Sequence, residues 1–262
     1  MIYKATHVFN FAQGYLLMVG VLLSWVFINN LPIWVAIPLV MAVAVILAVV
    51  IHRFTMRPLI GQPLIASILV TLGVAYTLEG LAVTFWGHKV YPYPQWFPVE
   101  RFDWGVINIH SAVVWGLLAT AAVFGAVGVF YWRSRMGKEM RATAEDHEVA
   151  QSLGIRVDRV FTLCWVVATV VVFVGALFFG VQSGAFHGLT EWGWKAIPAA
   201  IVGGLDSVKG AIVGALIVGM LESMCTGYVH PAIGAITPFI ILLLVLIVKP
   251  YGIFGEIRIE RL

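Results

Sequence analysis

Seven stretches of this chain are long and apolar enough to cross a bilayer, and no other feature constrains its fold as strongly. A hydrocarbon core of about 30 Å takes roughly 20 consecutive apolar residues in helical form. Residues 8–28, 31–51, 63–86, 107–132, 160–181, 210–228 and 231–248 reach or approach that length, and Glu79 and Glu222 are the only charged side chains within them. Backbone in lipid has no water to bond to, so each stretch is expected to satisfy its own hydrogen bonds as a helix. An eighth apolar piece, AIPAAIVGGL at residues 196–205, is about 15 Å long as helix, half a bilayer. It contains Pro198 and ends in Gly203 and Gly204. Backbone that breaks inside a membrane must be buried in protein or line a wet cavity. The expected fold is therefore all-α: a polytopic helical membrane protein with about eight membrane segments, one of them short or broken, in a single transmembrane domain over residues 1–262.

Composition agrees. Of 262 residues, 61% are hydrophobic and 11% charged, against about 25% charged in an average soluble domain. The net charge is only +3 and the basic residues are spread over several loops, which excludes a nucleic-acid surface. Cys164 and Cys225 both lie in apolar runs and read as reduced, buried thiols. No G-x-x-x-x-G-K-[ST] phosphate loop, no H-E-x-x-H and no clustered His or Cys pattern occurs, so neither ATP hydrolysis nor a metal or other cofactor is expected of this chain.

Basic residues mark the cytoplasmic side of a membrane protein. With the charged stretch that begins at Gly137 inside, thirteen Lys and Arg lie inside and three outside, namely Lys89, Arg101 and Lys195. That split requires the short piece to cross, and it places both termini in the cytoplasm. Lys4, Arg258 and Arg261 count on the inner side. The longest outer loop, GHKVYPYPQWFPVERFDWG, is too short for a domain and rich in Pro and aromatics; it reads as a small cap. Gly210-x-x-x-Gly214 and Ala215-x-x-x-Gly219 permit close helix packing.

The stretch GKEMRATAEDHEVAQSLGIRVDRV holds most of the polar residues between two spans. From 138 to 153 it has no Gly or Pro and many helix formers, and Gly154 follows as a stop. It predicts one surface helix. Two readings fit the residues: a solvated connector, or a docking helix for a soluble partner.

Here a resemblance enters. EVAQSLG, Glu148 to Gly154, resembles the E-A-A-x-x-x-G loop of ABC importer permeases, with Val149 in place of the first Ala. IYKATHVFNFAQGYLLMVG, RPLIGQPLIASILVTLG, WKAIPAAIVGGLDSVKGAIVGALIVGMLES and KPYGIFG resemble further segments of the branched-chain amino acid permease family, in that family's order. The resemblance implies a permease subunit in the inner membrane of a prokaryote, paired with a second permease subunit, two cytoplasmic ATPase subunits and an external solute-binding protein. It implies that the helix at about 138–154 couples to an ATPase, through Arg141, Ala142, Thr143, Glu148, Ala150 and Gly154. It embraces branched-chain amino acids, urea and short amides, and other small carboxylates as substrates. Family members usually carry one more apolar span ahead of the segment that resembles IYKATHVFNFAQG; this chain begins inside that segment, so either its start is placed late or the span is lacking.

Within the spans, Asn10 and Gln13 form a polar break, NFAQG, that either lines a path or satisfies broken backbone. Glu79, about three-quarters along its span, is a possible pathway residue, because an ionisable group in a membrane is functional or paired by default. Glu222, near an outer end, is expected to reach water. A secondary transporter or channel is the competing class; broken helices suit it, but it has no use for a docking helix.

Overall fold

The computed structural model describes residues 2–3, 9–59, 61–97, 101–104 and 107–255. Lys4, Arg258 and Arg261 of the charge count, and the start of the first apolar run at residue 8, lie outside them. The described residues form two compact units, one within Lys4–Thr190 and one within Glu191–Leu262.

The first unit holds five of the long helices: α1 (Gln13–Asn30), α2 (Ile33–Ile51), α3 (Leu64–Trp86), α4 (Ser111–Arg133) and α7 (Val157–Ser183). Between α4 and α7 lie two short helices, α5 (Arg135–Glu145) and α6 (His147–Ser152). Helix α7 is the axis of this unit, packed by α1, α2, α4 and α5. Gly20 lets α1 approach closely, since a Cβ there would lie 3.0 Å from Ala176 and 3.2 Å from Phe173. Phe173 is in turn fully buried with Val40 and Ala44 of α2. Helix α4 buries only Ser111, Ala112 and Tyr131, so its outward face is left for lipid or another subunit.

Several boundaries differ from the hydropathy reading, two of them by a change of structure. The span expected over 107–132 begins at Ser111, because Ile107–His110 is instead β2, paired antiparallel with β1 (Arg101–Trp104). The period-2 sequence Ile-Asn-Ile-His had the pattern of a strand. Helix α2 runs on through a π-turn, His52–Met56, and a 3-10 turn, Arg57–Leu59.

The second unit holds α9 (Val208–Tyr228), α10 (Pro231–Val248) and most of α8 (Thr190–Gly203). Helix α8 is the short piece expected over 196–205. It has 14 residues, about 21 Å, so it starts earlier than expected yet stays shorter than a bilayer. With α1–α4, α7, α9 and α10 it makes seven long apolar helices and one short one among the described residues. This is a polytopic, helical membrane protein.

Candidate functional site

The charged segment is two helices where one was expected. Asp146 leaves helical geometry (φ −156, ψ 121) and separates α5 from α6. Its Oδ1 accepts from the backbone N–H of Glu148 at 2.8 Å and of Val149 at 3.0 Å, capping α6. Ser134 caps α5 in the same way, accepting from Gly137 N–H at 2.8 Å. Gly137 itself permits the tight corner after α4, since a Cβ there would overlap the carbonyls of Phe130 and Tyr131.

At its far end, α6 closes in a Schellman motif. Gly154 N–H reaches Gln151 O at 2.9 Å, Ile155 N–H reaches Ala150 O at 3.0 Å, and Gly154 takes φ +84. Ile155 then packs with Ala150, Val157 and Phe161, the hydrophobic contact that accompanies this motif.

The six residues assigned to coupling divide by environment. Thr143 and Ala150 are buried. Arg141 is half-buried; its guanidinium donates to the Tyr131 carbonyl and lies 5.1 Å from the Trp132 ring. It thus binds back onto the end of α4, where unpaired carbonyls and the helix dipole favour a cation. Ala142 is half-buried, and Glu148 and Gly154 are exposed. Beside Glu148 two apolar side chains face outward, Val149 at 54% and Leu153 at 74% exposure. Both belong to the loose apolar stripe Met140, Ala144, Val149 and Leu153 legible in the sequence, of which Met140 and Ala144 are instead buried.

Behind the segment lies a cavity of about 300 Å³ bounded by His52, Gln62, Ser67, His147, Phe161 and Trp165. His52 hydrogen-bonds Thr162 Oγ1 at 3.0 Å, and Arg57 pairs with Asp158 at 3.4 Å. The latter pair is exposed on both sides and adds little stability.

The polar break at the start of α1 is satisfied by bonds within itself and to α3 and α7. Asn10 Oδ1 accepts from Ala12 N–H at 3.0 Å, Asn10 Nδ2 donates to Gln13 Oε1 at 2.9 Å, and Gln13 Nε2 donates to Ala168 O at 3.3 Å. Thr71, fully buried on α3, joins through Phe9 O and Phe11 N–H, each at 3.4 Å. Glu79 is half-buried on α3 and has no ion pair among the described residues.

At the other end of the first unit, residues 88–97 are strapped across the helices. Tyr91 exchanges backbone hydrogen bonds with Ala185, both 2.9 Å, and its ring lies 4.4 Å from that of Trp25. Trp25 Nε1 donates to Pro92 O at 3.0 Å, and Trp96 Nε1 to Leu177 O at 3.3 Å. Tyr93 passes against Gly180, where a Cβ would overlap its ring, and donates to Ser24 Oγ at 2.7 Å. Burial pushes the Tyr93 phenol up to about 12.

In the second unit, α8 and α9 form an antiparallel hairpin. Gly203 meets Gly210, and Ala199 meets Gly214, so closely that a Cβ on any of the three glycines would overlap backbone. Of the two small-residue stripes read in α9, Gly210 and Gly214 are therefore the packed one, whereas Ala215 and Gly219 are exposed. Ile253 N–H and Phe254 N–H bond to Val202 O and Gly203 O at 2.9 and 3.1 Å, so the KPYGIFG loop caps the end of α8. Glu222 does not simply reach water as expected: it accepts from Lys195 Nζ at 2.5 Å.

The architecture is that of a transport subunit: apolar spans, a short helix with a capped end, and a polar two-helix segment folded onto one face. Over residues 1–248 the chain matches the family model described as branched-chain amino acid transport system / permease component, and it belongs to that family. It is 30% identical over 284 residues to the high-affinity branched-chain amino acid transport system permease protein LivH of Salmonella typhimurium, covering 100% of this chain and 90% of the relative. It is 27% identical over 278 residues to the corresponding protein BraD of Pseudomonas aeruginosa, with the same coverage. To the probable branched-chain amino acid transport permease protein LivH of Methanocaldococcus jannaschii it is 24% identical over 279 residues, covering 97% and 85%. No solved structure matches it.

Proposed function

We propose that this chain is the membrane-spanning permease subunit of an ABC importer for branched-chain or related small amino acids. The observation that carries this reading is the end-to-end match to permeases named for that transport. The reading places the α5–α6 segment and both termini in the cytoplasm of a prokaryote, on the inner side of the plasma membrane. There α6 and the turn that ends it present Glu148, Val149 and Leu153 to an ATPase subunit, while Arg141 ties the segment to α4, so that movement of the ATPase is carried into the spans. ATP hydrolysis belongs to that partner, a second permease subunit completes the path, and an external binding protein delivers the substrate. The segment's amphipathic exposure and double capping support a docking surface over a plain connector, and a secondary transporter needs no such surface.

The test is uptake and assembly together. A strain lacking the importer is given the full set of subunits with or without this chain, and uptake of labelled leucine is measured beside co-purification of the ATPase. Uptake and co-purification that both require this chain support the reading. Leucine uptake independent of the ATPase would refute it.

A further inference from the structure

Helix α9 carries Gly210, Gly214, Val218 and Glu222 at intervals of four residues, one helix face. The first three are buried. On α8 the facing residues run Gly203, Ala199, Lys195, again four apart. The hairpin is therefore closed by glycines near its turn and bridged by an ion pair of two long side chains at its open end. Glu222 lies fourteen residues after Val208 in a helix of 21 residues, about 21 Å along an axis of roughly 30 Å. Both side chains are mostly covered by protein, with exposures of only 23% for Lys195 and 18% for Glu222. Trp192 lies beside it, its ring 4.9 Å from the Lys195 ammonium.

We infer that Lys195 and Glu222 form a binding site for a zwitterionic α-amino acid, which enters by exchanging its own two charges for theirs. The inference rests on the amino-acid reading given above. In the closed pair, ammonium and carboxylate satisfy each other. A zwitterion carries the same two charges, so when it inserts, Lys195 takes the ligand carboxylate and Glu222 takes the ligand ammonium. Net charge is unchanged, and no ion is left alone. A ligand with only one charge strands the other side chain without a partner, which is costly where water is scarce. A neutral amide offers neither contact and leaves the pair shut. The apolar part of the ligand lies against Trp192. The site thus selects zwitterions over amides, amines and carboxylates of the same shape.

The test uses the purified full chain in lipid nanodiscs, with tritiated leucine as probe. Competitors are isovalerate (carboxylate only), leucinol (ammonium only) and isovaleramide (neither). In the wild type, leucine should bind and each competitor should be weaker by about tenfold or more. Glu222→Gln should weaken leucine by about tenfold or more while isovalerate holds or gains; Lys195→Met should do the same in favour of leucinol. If the pair is only a latch, both variants lower thermal stability and leave the order of preference unchanged. The double variant Lys195→Glu with Glu222→Lys restores a latch but reverses the site, so it should regain stability without regaining leucine affinity. Absence of leucine binding by the wild type, the same ranking in both single variants, or full recovery of leucine affinity in the double variant overturns the inference. Uptake by the assembled importer is measured separately. Leucine binding without uptake refutes the transport reading alone, and uptake with an unaltered ranking refutes this site alone.

Discussion

One oxygen of the Asp146 carboxylate lies 3.0 Å from the backbone nitrogen of Val149. That contact starts α6, a helix of six residues too short to persist on its own. The same oxygen holds Glu148 N–H at 2.8 Å, and Glu148 adds a negative charge to the first turn, where the helix dipole favours it. The cap thus joins the Gly154 turn and the packing of Ala150 in orienting the exposed residues Glu148, Val149 and Leu153.

Asp146→Ala should cost about 1 kcal/mol of local stability. The expected result is faster hydrogen exchange over residues 147–152, with the spans unchanged. Asp146→Asn keeps a side-chain oxygen and should restore most of the protection. Equal exchange in wild type and Asp146→Ala would show that packing, not the cap, holds α6.

Gly154 occupies the left-handed region at φ +84, yet a Cβ there would meet nothing within 4 Å. A substitution is therefore opposed by backbone conformation alone, by roughly 1–2 kcal/mol for a bulky side chain. Gly154→Val should insert and accumulate normally but redirect the chain leaving α6, and ATPase co-purification and transport should fall. Glu148→Lys, which reverses an exposed charge, should lower association with little effect on abundance. Wild-type association in both variants would make the segment a connector.

Much of this was legible in the sequence, for physical reasons that also mark where it stops. Bilayer thickness sets a length scale, so a hydropathy count finds helices such as Leu64–Trp86 and Pro231–Val248 to within a residue or so. The left-handed turn at Gly154 follows from its lack of a Cβ. The break at Asp146 was equally visible, since an Asp followed by an acid in the next turn is a start signal, but the uninterrupted run of helix formers concealed it. The roles open to Asn10 and Gln13 depended on the bond from Gln13 to Ala168 and on the neighbouring backbone bond of Phe11 to Thr71, which no local pattern encodes. The Lys195–Glu222 pair joins residues 27 apart in sequence; the four-residue stripe through Gly210, Gly214 and Val218 points at Glu222, but only the hairpin geometry supplies its partner.

Tyr93 anchors the strap, and its phenol is pushed up to about 12 by burial, against an ordinary value of 10.0. A raised pKa means that the folded state holds the proton more tightly than the unfolded one. Its contribution is fully present below pH 10 and is lost progressively as pH rises towards 12. Alkaline difference spectra should therefore show a late-titrating component that loses one tyrosine's amplitude in Tyr93→Phe. That variant also loses the hydrogen bond to Ser24, so cysteines placed in residues 88–97 should label faster. An unchanged late titration in Tyr93→Phe would assign it to another tyrosine.

The hairpin makes the sharpest contrast between glycines of one helix. A Cβ at Gly210 would overlap the Gly203 carbonyl, and one at Gly214 the Ala199 carbonyl, whereas one at Gly219 would meet nothing within 4 Å. All three are in α9, so propensity favours alanine at each by roughly 1 kcal/mol. At Gly219 nothing opposes that gain, and Gly219→Ala should be neutral or slightly stabilising. At Gly210 and Gly214 the methyl must push two backbones apart, and overpacking of this kind costs about 1–3 kcal/mol. Because Gly203 O also accepts from Phe254 N–H, beside the bond from Ile253 N–H to Val202 O, the displacement should uncap the short helix as well. Gly210→Ala and Gly214→Ala should thus lower the thermal midpoint of the detergent-solubilised protein and its abundance in the membrane, and Gly219→Ala should not. Equal midpoints for the three variants would mean that α8 and α9 are not held together by close backbone approach.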